Sequence, residues 1–130
     1  MKPFLTLVLI ILLVSACAPK TQEAVATPVR KLEKGETLFI NTSLNLRTFP
    51  RSVIYSMAED KHKTSYAFST PLMIYSVFDN YHYQLLGNGW TQESLRKWGD
   101  SDYEATYSKS GERLRVRLRL EADRYIFETN

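Results

Sequence analysis

Few residues in this chain of 130 could carry out chemistry. It has one cysteine, Cys17, and two histidines, His62 and His82. Neither histidine belongs to a grouping of Asp, Glu and His that would supply the further ligands of a metal site. Glu59 and Asp60 are neighbours in the sequence, and neighbours do not converge on one substrate bond as paired catalytic carboxylates do. We therefore predict a protein that has no catalytic residues, metal site or cofactor and is not an enzyme.

Four arginines form the most regular charged pattern in the chain, and they alternate with apolar residues. We call Arg113, Arg115, Arg117 and Arg119 the arginine strip. Guanidinium groups bind carboxylates and phosphates bidentately, so the strip indicates a site for lipid phosphates, peptide carboxylates or an acidic partner. The alternative is a solvated sheet face whose charges prevent edge aggregation. In that case each exposed ion pair contributes only about 0–1 kcal/mol.

A β-hairpin must position the arginine strip. Residues 102–107 and 113–120 both alternate between apolar and polar, and the Ser110-Gly111 pair between them predicts a two-residue turn. The turn sets the register, and apolar residues then share one face. Opposite charges share the other face: Glu104 opposite Arg117, and Asp102 opposite Arg119. Arg113 and Arg115 would be the freer pair.

Composition limits the classes of partner. The chain has 17 Lys+Arg and 14 Asp+Glu, a net charge of +3, which is too balanced to indicate nucleic acid. Its 44% hydrophobic content supports a packed core, and its length fits about one domain. A single cysteine excludes an internal disulfide framework.

The N-terminus predicts where the protein is placed. Residues 4–14 are almost purely apolar, but they are too few for a spanning helix of about 20 residues, so they indicate a signal peptide. The run Leu13-Val14-Ser15-Ala16-Cys17 resembles the lipobox of bacterial lipoproteins. That resemblance implies cleavage after residue 16, acylation of Cys17 and, because Ala18 follows, anchoring in the outer membrane facing the periplasm. The alternative is an ordinary secretory signal with a cysteine near its cleavage site.

The remaining chain is predicted to be all-β. Residues 17–36 are polar and form a lipidated tether, about 24 Å long as a random coil. Short strands punctuated by Gly and Pro follow, including strands at 72–78 and 81–86. Residues 58–65 are charged and predict an exposed loop, and residues 92–98 form at most a turn or two of helix.

Two phrases resemble bacterial SH3-like (SH3b) domains: residues 42–50 (TSLNLRTFP) and residues 88–91 (NGWT). The resemblance implies a small SH3-like barrel over residues 37–98, with residues 99–130 as an additional C-terminal β-hairpin. It also implies a groove that contacts peptidoglycan, at Arg47, Tyr83 and Trp90. The alternative for the aromatic residues is core and cross-strand packing.

We therefore expect a lipid-anchored cell-envelope protein that binds peptidoglycan. The alternative is a non-catalytic accessory subunit that docks a protein partner in an envelope complex. Such a subunit would use a sheet edge or the arginine strip.

Overall fold

A computed structural model describes residues 30–130 of the chain. The predicted signal peptide, Cys17 and most of the predicted tether lie outside these residues. In chain order the elements are β1 (Arg30–Lys31), β2 (Phe39–Asn41), β3 (Leu46–Arg47), β4 (Val53–Asp60), β5 (Lys63–Ser69), α1 (Ile74–Gly87), β6 (Thr91–Trp98), β7 (Asp102–Lys109), β8 (Glu112–Glu121) and β9 (Arg124–Thr129).

Seven of these strands form one antiparallel sheet, in the order β1-β4-β5-β9-β8-β7-β6. The chain makes the β4–β5 hairpin, crosses over through α1 and returns as the meander β6–β9. The last strand, β9, pairs with β5. Strands from both sides of residue 98 therefore belong to the same sheet.

The protein is mostly β with one helix, which is consistent with the predicted all-β fold, but a closed SH3-like barrel is not confirmed. Strands between residues 37 and 98 are divided between the large sheet and a separate two-stranded sheet of β2 and β3. Neither sheet closes on itself. The large sheet therefore has two edges, the two-residue strand β1 and the eight-residue strand β6.

The short edge is fastened by few contacts. Arg30 lies opposite Ile54 of β4, and Lys31 lies opposite Val53. Leu32, the next residue, donates its N–H to the carbonyl of Ser52 at 2.9 Å, and its side chain is buried.

The predicted hairpin is confirmed as the β7–β8 pair. Glu104 lies opposite Arg117 and Asp102 opposite Arg119, as the turn and the alternation require. Ser110 and Gly111 occupy the turn with φ of 50° and 82°, the positive pair that a two-residue hairpin turn needs.

The helix α1 is the main difference from the sequence prediction, which places strands at 72–78 and 81–86. Aromatic and β-branched residues favour strands, so the local propensity of this segment opposes a helix. Burial outweighs that propensity, because the buried side chains recur at helical spacing: Ile74, Val77, Phe78, Tyr81 and Leu85.

Two shorter segments also differ from their predictions. Residues 58–65 are the end of β4, a turn and the start of β5, with Asp60 opposite Lys63, rather than an exposed loop. Residues 92–98 belong to β6 and contain no helical turn. In both segments the charged side chains are exposed on strands at or near an edge of the sheet, so charge indicated exposure but not conformation.

The core lies between α1 and the sheet face that it covers, and aromatic rings dominate it. The ring of Tyr81 is 4.4 Å from that of Phe127, and the rings of Tyr66 and Phe68 stack at 4.4 Å. All four side chains are buried. The helix is thereby held rigidly over β5 and β9, which fixes the position of its outward-facing residues.

Candidate functional site

A depression of about 470 Å³ lies between α1 and the small β2–β3 sheet. Arg47 of β3 and Tyr83 of α1 both line it. The residues of α1 that line it share one face of the helix, as their spacing requires: Asn80, Tyr83, Gln84 and Gly87. The C-cap residue Asn88 continues that face. Two of the three residues predicted for the groove are thus brought together, although Tyr83 arrives on a helix and not on the predicted strand.

Two amide side chains, Gln84 of α1 and Asn88 directly after it, hold β3 and the turn before it in place at this depression. Gln84 Oε1 accepts the N–H of Arg47 at 2.8 Å, and Gln84 Nε2 donates to the carbonyl of Arg47 at 3.2 Å. Asn88 Nδ2 donates to the carbonyl of Leu44 at 3.2 Å. Gln84 thus makes to the backbone of Arg47 the two hydrogen bonds that an adjacent strand would make, so the helix sets the position of Arg47.

The side chain of Arg47 is oriented but carries no counter-charge. Its guanidinium carbon lies 4.1 Å from the centre of the Phe39 ring, and its Nε donates to the hydroxyl of Thr37 at 3.1 Å. No carboxylate within residues 30–130 forms an ion pair with it. Tyr83, which lines the same depression, is 67% exposed. A depression lined by an oriented cation and an exposed aromatic ring fits a ligand that has a carboxylate together with a sugar or apolar group.

Trp90 does not reach this depression, so its prediction as a groove residue is corrected. Its side chain is only 4% exposed and belongs to the core. The ring of His62 packs edge-on against it at 5.8 Å, and Lys109 Nζ lies 6.0 Å from its centre. The residue follows the end of α1, where its N–H donates to the carbonyl of Leu85, and this turn directs the indole inward.

Every member of the arginine strip has a carboxylate partner. The partners are not the residues directly opposite in the register, so Arg115 forms an ion pair with Glu104 at 3.4 Å although Glu104 lies opposite Arg117. Arg113, predicted to be among the freer pair, lies 3.3 Å from Glu93. The remaining pairs are Arg117 with Asp102, and Arg119 with Glu121 and Glu128. The structure therefore favours the interpretation of a neutralised sheet face over that of an anion site.

The Arg117–Asp102 pair is the best formed of these contacts. Arg117 donates to both carboxylate oxygens of Asp102, at 3.2 and 2.8 Å. The hydrogen bond from Arg117 holds the pKa of Asp102 below its ordinary value, against a smaller opposing effect of burial. This bidentate contact stabilises the hairpin and leaves Arg117 little capacity for another anion.

A second cleft, of about 530 Å³, lies on the sheet face opposite the helix. Arg115 and Arg117 line one part of it, and Asp60, Lys63 and Glu128 line another. Cations and carboxylates are mixed along its walls, so it presents no field of one sign to a charged ligand.

The two histidines are engaged in separate hydrogen bonds. His62 Nδ1 lies 2.8 Å from the hydroxyl of Ser43, and its Nε2 lies 3.1 Å from Glu112. His82 Nδ1 lies 2.8 Å from the hydroxyl of Tyr107. Residues 30–130 contain no group of three or more His, Cys, Asp or Glu side chains placed to hold a metal ion.

The sequence analysis missed Gln84, which positions Arg47, and Asn88, which holds the turn before β3. Their spacing of four residues brings them together only on a helix, whereas the sequence predicts a strand at 81–86. Within the described residues, no helix is long and apolar enough to cross a membrane.

Comparison with known proteins gives no assignment for this chain. No known protein family matches it. No curated protein and no solved structure matches it either.

Proposed function

We propose that this protein is a lipid-anchored cell-envelope protein that contacts peptidoglycan through the depression between α1 and β3. One observation carries the proposal: Arg47, which is oriented and has no carboxylate partner within residues 30–130, lines the same depression as the exposed side chain of Tyr83. Peptidoglycan offers the matching chemistry, because its peptides end in carboxylates and its glycan rings stack on aromatic faces.

Two sequence features support the same proposal. The run that ends in Cys17 resembles a lipobox and indicates an anchor in the outer membrane, close to the cell wall. The phrase at residues 42–50 resembles SH3-like domains, and it supplies Arg47 to the depression. Both features bear on location and ligand class, and neither requires a closed barrel.

The test is co-sedimentation of the full-length protein, in mild detergent, with purified cell-wall sacculi at low and high salt. The affinity of the double variant Arg47→Gln/Tyr83→Ala for sacculi is expected to fall about fivefold or more. The variant removes both the cation that would pair with a carboxylate and the ring that would stack on a sugar. Tyr75→Ala is the matched control, because Tyr75 is also exposed on α1 (51%) but does not line the depression. Equal loss in both variants would contradict the proposed site.

The anchor is tested separately. Cys17→Ala is expected to move the protein from the membrane fraction to the soluble periplasmic fraction, because an acyl anchor contributes about 0.8 kcal/mol per buried CH₂. Membrane retention of that variant would contradict acylation at Cys17. If the wild-type protein does not sediment with sacculi at either salt concentration, the alternative of a protein-docking subunit is favoured.

A further inference from the structure

The strand β6 lies at one end of the large sheet. We call the side of β6 that faces away from β7 the open edge. The strand stands last in the order of the sheet and pairs only with β7 among the strands of residues 30–130. Its eight residues make it the longer of the two edges, and residues 93–98 are all exposed. The N–H and C=O groups along such an edge can accept a strand from another chain.

Two adjacent cations on this strand have no carboxylate partner within residues 30–130. Arg96 lies opposite Glu104 in the register, but Glu104 forms its ion pair with Arg115. Lys97 lies over the ring of Tyr103 at 5.0 Å. Within residues 30–130 neither cation forms an ion pair with a carboxylate, in contrast to every member of the arginine strip.

Exposed apolar side chains flank these cations on both sides. Leu95 is 40% exposed and Trp98 is 47% exposed. Successive residues of a strand point to opposite faces, so Leu95 and Lys97 lie on the helix side of the sheet, and Arg96 and Trp98 on the other. Each face of the open edge thus presents one apolar side chain and one cation.

We infer that β6 binds an acidic, extended segment of another protein, which adds to the sheet as an eighth strand. The partner residues opposite β6 would be apolar, acidic, acidic and apolar in turn, and this order is the same for parallel and antiparallel pairing. They would face Leu95, Arg96, Lys97 and Trp98. A second copy of the chain fits less well, since pairing β6 with itself brings four cations to one seam. This site is separate from the Arg47 depression and does not depend on peptidoglycan binding.

The test uses a labelled ten-residue peptide with Val-Glu-Glu-Val at its centre and the full-length protein in mild detergent, followed by fluorescence anisotropy. We expect Arg96→Glu/Lys97→Glu to weaken binding about tenfold or more, because like charges then face each other across the seam. The same variant is expected to bind the Val-Lys-Lys-Val peptide, which the wild type rejects. Lys31→Glu/Lys34→Glu makes the same charge change near the opposite edge, and it should leave binding unchanged.

Three outcomes would overturn the inference. Equal weakening by both double variants would show a general charge effect, and failure of the charge-reversed peptide to bind would exclude pairing at residues 96 and 97. Concentration-dependent dimers of the wild type that Leu95→Lys abolishes would show that a second copy occupies the edge instead.

Discussion

Tyr81→Phe should make the protein more stable, although it removes a polar group from a well-packed core. The side chain of Tyr81 is fully buried, and its hydroxyl has no hydrogen-bond partner within residues 30–130. A buried, unpaired hydroxyl costs about 1–3 kcal/mol. Phenylalanine keeps the ring contacts with Phe127 and Phe49, whose centres lie 4.4 and 5.3 Å away.

The expected gain is about 1 kcal/mol in the free energy of unfolding, at the low end of that range because the substitution leaves a small void. For a domain of this size, 1 kcal/mol corresponds to a rise in Tm of about 4–8 °C. Urea and thermal unfolding followed by circular dichroism would measure both quantities.

Tyr125→Phe is the matched control for this prediction. The hydroxyl of Tyr125 donates to the carbonyl of Leu72 at 2.6 Å, so its removal should cost about 1 kcal/mol. The two variants delete the same atom and are expected to shift Tm in opposite directions. If Tyr81→Phe lowers Tm as much as Tyr125→Phe does, the hydroxyl of Tyr81 contributes a favourable interaction and the reasoning is wrong.

Three further changes should alter stability in defined directions. Burial raises the pKa of Tyr66 and of Tyr81 above 10.0 in the folded protein. Their contribution to the free energy of unfolding should therefore stay constant below about pH 10 and fall at higher pH, because the tyrosines then ionise more readily in the unfolded chain. The hydrogen bond from Arg117 lowers the pKa of Asp102 from 3.8, so its contribution is present above about pH 4 and is lost as the pH falls through the lowered value. Urea titrations across pH would show both effects, and Asp102→Asn should flatten the acid limb. Phe127→Ala should cost about 3–5 kcal/mol in the same assay, since its ring is fully buried against Tyr81, and a cost under 1 kcal/mol would contradict that packing.

The hairpin was predictable because its local signals agree. Strict alternation over residues 113–120 allows only one face to be buried, and the Ser110-Gly111 turn admits only one register. A slip of one residue would have set arginines against tyrosines. The ion pairs were less predictable, since diagonal neighbours between strands are within reach and the sequence shows only the residues directly opposite.

The helix was not predictable from residue preferences, because Ile74, Val77 and Phe78 all favour strands. The helical spacing of these residues with Tyr81 and Leu85 was visible in the sequence, and it carried the correct signal. Tyr83 is predicted for the groove but on the wrong element, because a strand over residues 81–86 would put Tyr83 on the same face as Tyr81. On the helix, Tyr81 enters the core and Tyr83 faces the depression.

The short strand β1 has a mechanical consequence. Tension applied through the chain before Arg30 would meet two residue pairs, Arg30 with Ile54 and Lys31 with Val53, before it reaches the buried side chain of Leu32. Pairs peeled from one end break one after another, and releasing three residues lengthens the chain by about 10 Å. The first strand would thus extend under load, and this extension would precede any opening of the aromatic core.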